Sequence, residues 1–247
     1  MTAATMRQEG EFRIGNVINR AWGVLFANFL FFFCIAFVVA LPNLLLLGPQ
    51  VMQPGRPAAM AVGWTFGIAI VLGLVLHTLG QAVILFGAFQ HLCGQPVQPG
   101  EAIQRALSRF FPLVGLAILY TIGITLGFML LIVPGFMLMV RWAITVPACV
   151  VEKLGPVASM GRSARLTKGH RWKIFGTLLL MMIVNVILNQ IVGFLLRPTG
   201  LYAAAFGSLV WMAVWGAFWH CLLVMIYHDL RVAKEGIDTR QIASVFD

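Results

Sequence analysis

The sequence predicts an all-α integral membrane protein with six transmembrane helices and three amphipathic interfacial helices, a threefold repeat of one interfacial helix plus a two-span hairpin. Three observations predict it. Of 247 residues, 60% are hydrophobic and only 10% are charged, with a mean hydropathy of +0.93. Soluble chains carry about 25% charged residues, so too few charges are present here to cover a water-facing surface. Next, apolar runs recur six times, most of them near the roughly 20 residues that a helix needs to cross a bilayer. Finally, three basic amphipathic stretches each precede a pair of these runs.

The first unit, residues 11–91, opens with EFRIGNVINRAW, where Phe12, Ile14, Val17, Ile18 and Trp22 suit a short surface helix over 11–22. A span follows from about Ala21 to Leu47. Its apolar run exceeds a signal-peptide core of roughly 7–15 residues, so it is expected to stay in the membrane. The Pro/Gly loop 48–59 leads to a second span over about Met60–Gln90. There Gly73, Gly80 and Gly87 recur every seven residues, and Gly63 and Gly67 form a GxxxG pair. Both patterns let helices approach closely, and the glycine faces also allow a homo-oligomer.

The second unit, residues 98–151, starts with the connector QPGEAIQRALSRF. Its spans are about Pro112–Val133 and Phe136–Val151, joined by a tight turn at Pro134–Gly135. The third unit, 152–228, starts with EKLGPVASMGRSARLTKGHRWKIFG, the most basic stretch of the chain. A helix through it places Val157, Met160 and Ala164 on a membrane-facing side, with Arg162 and Arg165 on another face. Its spans are about Ile174–Leu196 and Leu201–His228. Residues 229–247 form a polar tail. The connector cores NVINRAW, EAIQRAL and VASMGRSA align, with Arg20, Arg105 and Arg162 at one position and Ala21, Ala106 and Ser163 after them.

Net charge is +9. The N-terminal segment, the two later connectors and the tail hold fourteen of the seventeen Lys and Arg residues. By the positive-inside rule, this places both termini and the connectors in the cytoplasm of a multi-pass inner-membrane protein. No nucleic-acid motif accompanies the charge. The cysteines Cys34, Cys93, Cys149 and Cys221 form no CxxC pair, so neither a disulfide framework nor a zinc site is expected.

Residues 134–176 combine a Pro-Gly pair, a span with an arginine, Pro147, Glu152, a small-residue helix with Arg162-Ser163, and Gly169-His-Arg-Trp172. Together with the ending YHDLRVAKEGID, this resembles the membrane domain of bacterial glycerophosphoryl diester phosphodiesterases and its relatives of unknown function. The resemblance is clearest over 134–237. It implies a bacterial membrane location and a link to lipids. It implies no phosphodiesterase activity, because the soluble catalytic domain has no counterpart in these residues.

None of the eight carboxylates falls in the middle of a predicted span, which removes an intramembrane catalytic pair. The five histidines show no metal-ligand spacing. No catalytic residue, metal or cofactor is therefore expected. Polar residues inside spans are costly and need partners. His77 and Gln81, Thr121 and Thr125, and Asn185 and Asn189 are such i, i+4 pairs. They fit either hydrogen bonds between helices or a polar-lined cavity. Arg141, inside the fourth span, can snorkel outward, pair with His77 and Gln81 or helix carbonyls, or bind an anion. Trp211, Trp215 and Trp219 form a stripe suited to packing or lipid contact. Asp229 is expected to pair with Arg162 or Arg165. Arg141, Arg162, Arg165, Lys168, Arg171 and Lys173 form the candidate set for anionic lipid headgroups.

The functional expectation is a non-enzymatic inner-membrane protein that engages membrane lipids at the cytoplasmic leaflet. One alternative is a small-solute or lipid transporter using the mid-membrane polar residues. The other is an interfacial lipid-modifying enzyme using Glu152, His170 and Asp229.

Overall fold

The computed structural model describes residues 14–42, 64–92 and 94–236. All regular structure among them is helical: α1 (Ile14–Ala27), α2 (Phe29–Ala40), α3 (Trp64–Leu92), α4 (Pro99–Ser108), α5 (Phe110–Leu130), α6 (Ile132–Arg141), α7 (Thr145–Val151), α8 (Pro156–Thr167), α9 (Arg171–Leu196) and α10 (Leu201–Glu235), with a 3-10 turn at Arg197–Thr199. Five stretches are long and apolar enough to cross a membrane: 70–92, 110–130, 132–151, 171–199 and 202–235. The bent pair α1 and α2 brings the number to six if it is one span. Gly63, the tail beyond Gly236 and the loop 48–59 lie outside the described residues.

α10 is the axis of the bundle. From Ala217 to Leu230 nearly every residue is buried, whichever way its side chain points. A helix apolar all round needs partners all round, and α1, α2, α3 and α9 supply them. The seven-residue glycine pattern of α3 is where α2 approaches it. A Cβ on Gly80 would lie 2.3 Å from Val39 Cγ2, and one on Gly87 would lie 2.7 Å from Phe31. At Gly67 a Cβ would meet nothing within 4 Å.

Several predicted boundaries move. The first connector helix does not hand over to a span at Ala21; it runs to Ala27, and the chain bends by 95° at Asn28 before α2. Asn28 sits off helical geometry (φ −136°, ψ 43°), and its side-chain amide meets His91 Nδ1 at 3.3 Å. The expected turn at Pro134–Gly135 is instead inside α6, and the chain turns at extended Leu131. Proline is tolerated in a first helical turn. Gly135 is needed there for contact, since a Cβ would lie 2.5 Å from the Phe128 ring.

The fourth span is also interrupted, at Trp142–Ile144 between α6 and α7. Pro147 explains this, because its ring would clash with the carbonyl of Ala143 in a continuous helix. The freed carbonyls find new donors. Ser163 Oγ donates to the Arg141 carbonyl at 2.9 Å, Thr167 Oγ1 donates to it at 3.4 Å, and Thr145 Oγ1 donates to the Trp142 carbonyl.

The third connector is not one helix from 152 to 176. Only 156–167 is helical, and α9 begins at Arg171. Its face packed on the protein is lined by hydroxyl side chains. Ser159, Ser163 and Thr167, spaced four apart, are fully buried, while Val157 is 73% exposed. Small hydroxyl side chains let α8 come close to α6 and cap its broken end, which a larger apolar face would prevent. Finally, α10 extends past His228 to Glu235 before Gly236 ends it in left-handed geometry (φ 61°).

Candidate functional site

Two regions gather polar side chains. The first is the charged end, where the connectors meet the C-terminal turns of α10. Arg162 on α8 reaches Glu152 with its Nε, at 2.7 Å to Oε2 and 2.8 Å to Oε1, and its Nη2 pairs with Glu235. Tyr227 OH donates to Glu152 Oε1 at 3.2 Å, and Arg231 Nε holds Glu235 at 3.0 Å. Burial alone would raise the Glu235 pKa. Hydrogen bonds and charge from Arg162 and Arg231 outweigh that and hold its carboxyl below the usual range.

The predicted partner of Asp229 is corrected. Asp229 pairs with Arg20 of α1 at 2.7 Å, not with Arg162 or Arg165. On the second connector Arg105 pairs with Glu101 at 2.7 Å, one turn back on α4. Gln90 at the end of α3 ties in by donating to Glu101 at 2.8 Å. All four carboxylates among the described residues, Glu101, Glu152, Asp229 and Glu235, thus hold an arginine.

The remaining cations collect around the turn between α8 and α9. Lys234 Nζ donates to the Arg165 carbonyl at 2.6 Å, and Arg171 Nη2 to the Ala164 carbonyl at 3.4 Å. Burial, then the charges of Lys168, Arg171 and Arg162, lower the Lys234 pKa. Burial, Lys173 and Lys234 lower that of His170. Both shifts report a like-charged cluster. Beside it Trp172 is 85% exposed.

The second region is a groove of about 1010 Å³ over the face of α10, walled by α2 and α3 on one side and α6 and α9 on the other. His77, Asn185, Asn189, Ser208 and His220 line it, together with Trp211, Trp215 and Trp219. From Ser208 to His220 it follows α10 for twelve residues, about 18 Å at 1.5 Å per residue. The His77 and His220 rings lie 4.9 Å apart, centroid to centroid. His220 is 2% exposed, and neither ring nitrogen is hydrogen-bonded among the described residues. The Gly216 backbone, one turn earlier, interacts with the ring but falls outside hydrogen-bond geometry. The three tryptophans, expected to be packing or lipid contacts, are part of the groove wall.

The predicted polar pairs therefore separate. Asn185 and Asn189 share the groove; His77 lines it while its partner Gln81 is buried beneath. Thr121 and Thr125 lie on the exposed outer side of α5 and join neither region. Arg141 ends α6 with an exposed side chain and makes no hydrogen bond with His77 or Gln81. Glu152, His170 and Asp229 are not brought to a common point, since Glu152 and Asp229 belong to separate ion pairs. Sequence reasoning missed Ser208 and His220. His220 was visible as a histidine in an apolar run, but only the third dimension sets it against His77.

The arrangement is that of an all-helical protein with five to six helices able to cross a membrane, one charged end and one apolar groove with a polar lining. The chain belongs to a family defined by a domain of unknown function, DUF7847, whose model matches residues 59–230. That match covers most of the bundle, including the α3, α6, α9 and α10 walls of the groove and the turn between α8 and α9, and does not connect the chain to the glycerophosphoryl diester phosphodiesterase family. No curated protein and no solved structure matches it.

Proposed function

We propose that this protein is a non-enzymatic, six-span membrane protein that engages anionic lipid headgroups through its charged end. The observation carrying this reading is the cluster of Arg165, Lys168, Arg171, Lys173 and Lys234. It stands beside carboxylates that Arg162 and Arg231 already occupy. Neighbouring cations repel one another, and an anionic headgroup layer relieves that repulsion. Exposed Trp172 supports the same placement, because tryptophan favours the interface between headgroups and chains. A cytoplasmic position for this end accords with the charge bias of the connectors.

Three matched ion pairs favour a threefold repeat. Arg20, Arg105 and Arg162 each hold a carboxylate, and the residues after them, Ala21, Ala106 and Ser163, are each at most 1% exposed. Each unit in this reading is a connector that anchors its arginine and buries the following small residue.

The test is lipid retention by native mass spectrometry, on the wild type and on Arg165→Gln/Lys168→Gln/Lys173→Gln. Each surface cation contributes about 1 kcal/mol toward an anionic bilayer. The triple variant is therefore expected to bind phosphatidylglycerol about a hundredfold more weakly, with phosphatidylcholine unchanged. Equal retention of phosphatidylglycerol by both proteins would refute the headgroup reading.

A further inference from the structure

We propose that the groove is a second, separate binding site, for one uncharged amphiphile whose oxygen-bearing head seats against the His77–His220 pair. Its apolar chain would lie along Trp211, Trp215 and Trp219. The site does not depend on the cation cluster.

Three observations carry it. Buried polar groups in folded proteins are almost always hydrogen-bonded. Here a fully buried imidazole has both nitrogens without a hydrogen bond among the described residues, and it stands against a second histidine that lines the cavity. With centroids 4.9 Å apart, a small rotation lets one ring hydrogen-bond the other and fixes which nitrogen of His77 faces the groove. His77 then offers either a donor or an acceptor to a ligand, and His220 acts as its positioning residue.

The charge of the ligand follows from the walls. Among the described residues no Lys, Arg, Asp or Glu lines the groove. A charged head taken there would lose its hydration with nothing to neutralise it. The head is therefore an alcohol, ester or quinone-type carbonyl rather than a phosphate or an ammonium.

The shape follows from the length. The wall is mainly indole, methionine and aliphatic surface for about 18 Å along α10, the reach of an extended acyl or isoprenoid chain. Asn185, Asn189 and Ser208 add polar contacts at the other end of that run. Gly216 lines the middle, and a Cβ there would meet nothing within 4 Å. The bundle leaves this space unfilled where it closes Gly80 and Gly87 tightly.

Tryptophan fluorescence of the full-length protein in detergent tests this. Two uncharged probes are titrated: a diacylglycerol with brominated chains, which quenches neighbouring indoles, and a short-chain ubiquinone analogue, which quenches directly. At least one is expected to quench saturably, and which one does so distinguishes an alcohol head from a quinone. His77→Phe keeps the ring volume but removes the nitrogens. It should weaken binding about tenfold, equivalent to about 1.4 kcal/mol. Gly216→Leu fills the groove and should abolish saturable quenching while the thermal midpoint is retained. Phosphatidylglycerol retention at the cation cluster should be unchanged in both variants, so failure here is separable from failure there. Three results would overturn the proposal: no saturable quenching by either probe, quenching indifferent to Gly216→Leu, or brominated phosphatidylglycerol entering the groove as tightly as the uncharged probes.

Discussion

The charged end and the groove treat polar side chains in opposite ways. At the charged end each described carboxylate has an arginine, and Arg162 serves two at once. In the groove a buried histidine has no hydrogen-bond partner among the described residues, and the helices stand apart. A network whose groups satisfy one another holds the first and third connectors to α10. A cavity whose groups do not has hydrogen-bonding capacity left for something else. Polarity within an apolar chain is thus no uniform mark of function; whether the partners come from the protein is what separates the two regions.

The largest expected effect breaks the charged end. Arg162 is only about one-fifth exposed, at 19% of its side chain. Arg162→Ala leaves Glu152 with only the Tyr227 hydroxyl and Glu235 with only Arg231 at the junction of α8 and α10. The cost is about 2 kcal/mol, below the ~3–5 kcal/mol of a fully buried pair because water reaches part of this one. It is read as a lowered thermal midpoint in detergent. His77→Ala, by contrast, removes no native hydrogen bond and should leave the midpoint within about 0.5 kcal/mol of wild type.

The two regions also differ in their glycines. Gly80→Ala drives a methyl group into Val39, whose branched side chain has few alternative rotamers, and should cost about 1–3 kcal/mol. Gly216→Ala meets open space in the groove and should stabilise α10 by roughly 0.5–1 kcal/mol, the usual gain of alanine over glycine in a helix. If both substitutions destabilise equally, the groove is packed shut and the contrast fails.

The sequence shows some of this plainly and hides the rest for physical reasons. The long apolar helices α3, α5, α9 and α10 follow the predicted spans closely, because length and hydropathy alone define them. The seven-residue glycine pattern also reads correctly as a close approach. The bend at Asn28 was hidden, because apolar residues continue on both sides and the pattern never breaks. The interruption at Trp142–Ile144 had a signal in Pro147, four residues after Ala143, but the hydropathy around it outweighed it. The packed face of α8 was not legible, because Ser159, Ser163 and Thr167 carry no hydropathy signal. They are small enough to pack and polar enough to cap, and only the broken end of α6 makes both useful. The groove needs helices from three units, so no local pattern announces it.

Acid should weaken the charged end through its carboxylates. Glu235 has its folded pKa held below the ordinary 4.5 by Arg162 and Arg231, against the opposing effect of burial. Its contribution to stability is therefore complete above about pH 4.5 and is lost as pH falls through the depressed value. The midpoint of the wild type should fall in that window, and Glu235→Gln should flatten the fall while lowering the midpoint at pH 7. Among the described residues no carboxylate lines the groove, so loss of the Glu235 pairs should not itself change binding of an uncharged probe, and any acid effect there runs through the His77 and His220 imidazoles instead.

The smallest expected effect sharpens the comparison within the charged end itself. Arg20, Arg105 and Arg162 occupy one aligned position yet differ in surroundings. The Arg105–Glu101 pair is about one-third exposed on both sides and lies within a single helix. Such pairs contribute at most ~0.5 kcal/mol. Arg20 is 40% exposed, but its partner Asp229 is only 12% exposed and sits on another helix. Arg20→Ala should therefore cost more than Arg105→Ala and less than Arg162→Ala. That graded order in thermal midpoints would mean that one sequence position has been given three strengths by burial alone. Three equal losses would mean instead that the alignment of the connectors, and not their packing, sets what the arginines do.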